Sequence, residues 1–202
     1  MAPDRLQRLI DAASANIAAH EEELTTLDRA IGDGDHGANM RRGFAAIEAA
    51  GAEISSLEFG AALQKAGMTL VMSVGGASGP LFGSLLMAMG KSAPAVPANA
   101  AAVAAMLTEG IESVKKRGKG DVGAKTMLDV LVPVRDAIAS GDDPIAAARA
   151  AADAGLAATR DMKATKGRAS FLGERSIGHL DPGARSSALL VHAICDVLEE
   201  RK

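Results

Sequence analysis

The chain has 202 residues, 48% of them apolar but only 2% aromatic, with neither Trp nor Tyr. Its 22 basic and 25 acidic residues give a net charge of −3, which excludes the basic footprint of a nucleic-acid binder, and it lacks aromatic platforms for single strands. Alanine is roughly a fifth of the chain, which favours closely packed helices over an aromatic-rich sandwich or barrel; the length suits one domain spanning 1–202.

The single cysteine, Cys195, has no partner for an internal disulfide and suits a reducing compartment. No run reaches the ~18 apolar residues of a membrane span. The charged, amphipathic start (MAPDRLQRLIDAAS) is unlike a signal peptide. A cytoplasmic, all-α domain is the expectation.

Breakers and apolar periodicity predict eight helices. The first covers 4–25, with Leu6, Leu9, Ile10, Ala13 and Ile17 on one face. The second covers 38–50. The third starts near Ser56 as N-cap and ends before Gly75. The fourth follows Pro80 and ends near Gly90. The fifth covers 99–117 and the sixth 125–139. The seventh follows the Asp143-Pro144 pair and ends near Met162. The eighth covers 184–201. Met68, Met72, Met87 and Met89 are expected to fill gaps between helices, and Cys195 to lie in the core. His20 and His192 are expected to be structural, and Lys115, Lys116 and Arg117 to form a solvated helix end.

Four connections are rich in glycine, charge and hydroxyls: 28–37 (DRAIGDGDHG), 74–79 (VGGASG), 118–124 (GKGDVGA) and 163–183. They alternate with three plain ones. If successive helices run antiparallel, the four rich loops gather at one end of a bundle. The last is about 20 residues long, a length usual for functional loops.

Asp28, Asp33 and Asp35 fall within eight residues. Carboxylates so close repel unless a cation lies between them, and Mg²⁺ is the usual choice beside phosphate. The EF-hand pattern fails, because Phe44 stands where that loop needs Glu. Residues 32–37 match a dinucleotide fingerprint but follow a helix rather than a strand. Residues 118–126 miss the P-loop spacing by one residue, Ala124. The 74–79 turn, leading into a helix at Pro80, suits a phosphate held by backbone N–H groups and the Ser78 hydroxyl. Arg168 could pair with phosphate oxygens, and His36 and His179 are weaker candidates. Together these point to a magnesium–nucleotide or polyphosphate site at one end of a helical bundle.

Four blocks resemble the dihydroxyacetone kinase L family in the family's order: 27–44 (LDRAIGDGDHGANMRRGF), 75–86 (GGASGPLFGSLL), 125–131 (KTMLDVL) and 164–187 (ATKGRASFLGERSIGHLDPGARSS). The resemblance implies a barrel of eight antiparallel helices, with ADP (or ATP) and two Mg²⁺ ions at one end. It places Asp28, Asp33 and Asp35 on the metal. It places His36, Gly37, Ala38, Asn39, Ala77, Ser78, Gly118, Thr126, Met127, Arg168, Asp181, Pro182 and Gly183 on the nucleotide. No protein nucleophile is implied.

By the same resemblance, the chain is a stand-alone nucleotide-binding subunit. It would pass a phosphoryl group to dihydroxyacetone on a separate K subunit. Its ADP would be recharged by a phosphohistidine-carrying M subunit of the phosphotransferase system, and a transcription regulator is a further partner in some relatives. Two other readings stay open: an ATP-exchanging kinase subunit for dihydroxyacetone or an erythrulose-like ketose, and a nucleotide-sensing partner of a regulator. One residue departs from the family, which usually reads Gly-Asp-Lys-Thr-Met where this chain has Gly123-Ala124-Lys125-Thr126-Met127.

Overall fold

The computed structural model describes residues 3–140 and 142–200. The all-α expectation holds, but the count of eight does not: ten α-helices and two 3-10 segments are formed among the described residues.

The expected first helix is two. Helix α1 (Pro3–Ala19) stops where the His20 ring nitrogen Nδ1 takes the Asn16 carbonyl at 2.8 Å and its backbone N–H turns to Ile17. A side chain that competes for backbone groups interrupts the ladder. Helix α2 (Glu21–Ile31) then restarts with Glu21, Glu22 and Glu23 in its first turn, where the helix dipole favours negative charge. It runs six residues past the predicted end, so Asp28 stands on a helix and not in a loop.

Helix α3 (His36–Ala49) is followed by one extra short helix, α4 (Gly51–Ser55). Next come α5 (Phe59–Ser73), with Glu58 rather than Ser56 at its N-cap position, and α6 (Ser78–Ser92). Helix α7 (Ala100–Gly118) is capped by Asn99, whose side chain accepts from the Ala102 N–H at 2.9 Å. Helix α8 (Leu128–Ser140) starts three residues later than predicted, because Lys125 is left-handed, at φ 62°. Helix α9 (Pro144–Ala158) is capped by Asp143 and runs into a 3-10 turn, Thr159–Asp161. The long last connection is not structureless: Arg168–Ser176 forms 3-10 turns kinked at Gly173. Helix α10 (Pro182–Glu199) closes the chain; Arg201, in the expected eighth helix, lies outside the described residues.

Packing follows chain order and closes on itself. Helix α1 packs on α3, α3 on α5, and each later long helix on the next, until α10 returns to α1. Ile17, Leu24, Met40, Leu70, Ile111, Val130 and Ala188 belong to one shared apolar cluster. Two contacts depend on missing side chains. A Cβ on Gly67 would lie 2.7 Å from the Gly83 carbonyl, and one on Gly60 2.5 Å from the Gly90 carbonyl, so α5 and α6 touch backbone to backbone. In α8, Pro133 cannot donate to the Asp129 carbonyl. Gly155 of α9 packs against that freed oxygen, where a Cβ would come within 2.3 Å.

Cys195 is buried as expected. Met68 and Met72, expected between helices, are 53% and 83% exposed on α5. No described helix is long and apolar enough to cross a membrane.

Candidate functional site

The acidic cluster begins with a helix cap. Asp28, buried in the last turn of α2, accepts the Asp35 N–H at 2.9 Å and the His36 N–H at 3.1 Å through Oδ2. It thus satisfies donors at the start of α3, while Asp35, at the N-cap position, makes no side-chain cap bond. The chain reverses through Gly32 and Gly34, the latter at φ 76°. Asp28, Asp33 and Asp35 end with one carboxylate oxygen each inside a 4.8 Å group, the first buried and the others exposed. Three such oxygens fit a hard divalent cation.

Facing them is the turn between α5 and α6. Gly76 adopts φ 64°, a left-handed conformation open to glycine. The turn aims the first N–H groups of α6 outward, and Pro80 removes one donor from that turn. Asp33, Asp35, Gly75, Gly76, Ala77, Ser78 and Arg168 line one cleft. Arg168 reaches it from the long last connection and pairs with Asp33 Oδ2 at 2.9 Å. Carboxylates, a helix N-terminus and a guanidinium therefore share one small space, an arrangement that can hold a metal and a phosphate side by side.

The other predicted residues stand around this cleft without lining it. Gly37 lies on the α2 crossing, where a Cβ would come 2.1 Å from the Glu21 carbonyl. Ala38 is exposed, and buried Asn39 accepts from Arg42. Gly118 ends α7 and is exposed; Met127 is core. Thr126 Oγ1 accepts the Leu128 N–H at 3.2 Å. Asp181 is buried and caps α10, accepting the Ala184 N–H at 2.7 Å; Pro182 and Gly183 open that helix. His179 contributes its carbonyl, and its side chain is exposed.

Two residues without an assigned role organise this second ring. Lys125, 1% exposed, donates through Nζ to the carbonyls of Thr159 at 2.6 Å, Met162 at 3.2 Å and His179. Its ammonium thereby ties the turn before α8 to both ends of the last connection. Burial lowers its pKa, against the pull of Asp181 and Asp161. Ala124, the departure from the family pattern, is buried, and its carbonyl accepts the Thr165 N–H at 3.2 Å. Lys125 is thus anchored without a carboxylate at position 124. Asp129, also buried, accepts from Gly123 N–H at 2.5 Å and Thr126 N–H at 2.8 Å. The Thr126-x-x-Asp129 spacing is a capping-box signal legible in the sequence. Nothing in the sequence marks Lys125 as buried.

Known proteins share this architecture. The DAK2 domain family profile matches residues 30–196. The chain is 44% identical over 189 residues to the ADP-binding subunit DhaL of PEP-dependent dihydroxyacetone kinase 1 of Listeria innocua, covering 93% of this chain and 92% of that one. It is 41% identical over 194 residues to the ADP-binding subunit DhaL of the Escherichia coli PEP-dependent kinase, covering 91% of each. The crystal structure of the C. freundii dihydroxyacetone kinase in complex with AMP-PNP and Mg²⁺ superposes with a TM-score of 0.77 at 26% identity, over 95% of this chain and 33% of that one.

The chain therefore belongs to the DAK2 domain family. Within it, the full-length similarity is to stand-alone ADP-binding subunits of dihydroxyacetone kinases, which are phosphotransferases.

Proposed function

We propose that this chain is the nucleotide-holding subunit of a phosphotransferase-linked dihydroxyacetone kinase, a single cytoplasmic domain that works with partner subunits. The observation that carries the reading is the cleft where Asp33 and Asp35, beside Asp28, face the α6 N-terminus and Arg168. Full-length similarity to ADP-binding subunits supports it.

Asp28, Asp33 and Asp35 would hold two Mg²⁺ ions, which supply charge neutralisation to the phosphates. The 76–79 backbone and Arg168 would hold the phosphates of ADP or ATP. His36 to Asn39, Gly118, Thr126, Met127 and Asp181 to Gly183 would frame the rest of the nucleotide. Phosphoryl transfer is mostly positioning and electrostatics, so a site without a protein nucleophile suffices. The acceptor is dihydroxyacetone on a separate K subunit, and the donor that recharges ADP is a phosphohistidine on an M subunit.

Native mass spectrometry after long dialysis in magnesium buffer tests this reading. Retained ADP with two Mg²⁺ ions is the expected result. A bare chain that takes up ATP reversibly would move the assignment to an ATP-exchanging ketose kinase subunit. Binding of neither nucleotide would overturn the reading.

A further inference from the structure

His36 is 6% exposed at the start of α3, where α2, α6 and α10 converge. Its Nδ1 lies 3.0 Å from Ser78 Oγ on α6, and its Nε2 lies 3.1 Å from Ser186 Oγ on α10. Both ring nitrogens are thus taken by hydroxyls, and neither is left for a ligand.

The protons can be assigned from the acceptors around the ring. Ser186 donates its one hydrogen to the Gly183 carbonyl at 3.1 Å, so towards the ring its oxygen can only accept, and Nε2 carries the hydrogen. Both ring nitrogens meet hydroxyls and neither meets a carboxylate, so a second hydrogen on Nδ1 would leave a buried cation without a paired charge. Nδ1 is therefore bare, and the Ser78 hydroxyl donates its one hydrogen to it.

We infer that His36 is a positioning residue: it takes the Ser78 hydrogen and leaves the Ser78 lone pairs facing the cleft shared with Asp33 and Asp35. This rests on the proposed function. On this geometry Ser78 Oγ is an acceptor, an additional oxygen for the divalent cation or its water shell, and not a donor to phosphate. The phosphate is left to backbone N–H groups and Arg168, whereas a serine at a phosphate-binding helix start would ordinarily be read as a donor. Residues behind a metal site act this way on the groups in front of them.

Two measurements test it. The first is the ¹⁵N NMR tautomer of His36 in the wild-type chain without nucleotide. The Nε2–H tautomer is expected, and an Nδ1–H tautomer would overturn the inference whatever the chain binds. The second is calorimetry with ADP and MgCl₂ on Ser78→Ala. Mg²⁺ affinity in the presence of ADP should fall about tenfold, with ADP affinity in EDTA changed less than about twofold. The opposite pattern would make Ser78 a phosphate donor and sink the inference, while leaving the proposed function intact. His36→Leu should repeat the Mg²⁺ loss, with no further loss in the double variant. His36→Asn, which keeps an acceptor near the Nδ1 position, should recover most of it. A wild-type chain that binds no ADP at all would instead fail the proposed function.

Discussion

Gly32 and the carboxylate of Asp28 occupy adjoining space: a Cβ on Gly32 would sit 2.0 Å from Asp28 Oδ1. The glycine leaves room for Asp28 to cap the start of α3 through Oδ2 and to keep a carboxylate oxygen beside Asp33 and Asp35. Gly32→Ala should swing that carboxylate away. The expected result is at least a tenfold loss of Mg²⁺ affinity by calorimetry. A stability loss of about 1 kcal/mol, from the weakened cap of α3, should accompany it in denaturant titration.

Arg168 and Asp33 form an exposed pair, with the arginine side chain 67% accessible. Such pairs contribute at most about 1 kcal/mol. Arg168→Gln should leave the unfolding midpoint nearly unchanged. It should weaken ADP binding about tenfold by removing a phosphate partner. Mg²⁺ binding without nucleotide should strengthen slightly, because Asp33 loses a competing cation. A large stability loss would show that the residue is structural.

Lys125 has a different balance, since its ammonium is the donor shared by three buried or half-buried carbonyls. Lys125→Met should cost about 3 kcal/mol, because acceptors left without a donor lose more than the net value of each bond. Lys125→Arg should not restore stability, since a planar fork cannot replace a compact ammonium in a closed pocket. Hydrogen exchange should accelerate first in residues 159–180, the segment that this ammonium fastens.

Burial raises the Asp181 carboxyl from 3.8 to about 7; the nearby Asp129 charge adds to this, and the N–H groups of Ala184 and Gly183, with Lys125, oppose it. The folded chain therefore holds a proton that the unfolded chain releases above about pH 4. This group's contribution is complete below that pH and is lost as the pH rises through 7. At 1.36 kcal/mol per unit, its ceiling is about 4 kcal/mol. Asp181→Asn keeps a capping oxygen and removes the titration. Its unfolding free energy should be flatter than wild type between pH 5 and 8, as measured by urea titration at each pH.

Much of this arrangement was legible in the chain. The spacing of Asp28, Asp33 and Asp35 announced the carboxylate cluster, and 74–79 announced the helix start that faces it. What escaped was the side-chain competition at His20, which splits the first predicted helix, and the persistence of α2 through Asp28. Glycine at 32 and 34 suggested a loop beginning earlier than it does, because a glycine marks where a turn is allowed and not where the preceding helix stops. Lys125 escaped for another reason. Its burial depends on three carbonyls from residues 34 to 54 positions away, and composition carries no trace of that.

The glycine contacts between α5 and α6 have a mechanical consequence. Two rods whose backbones touch at these glycines behave like tweezers whose arms are fused. The Val74–Ala77 turn is the tip of that tool. Its aim toward the aspartates is set by steric contact at Gly60, Gly67, Gly83 and Gly90. Enlarging one of these glycines would pry the arms apart and misdirect the tip, with every residue at the cleft still in place.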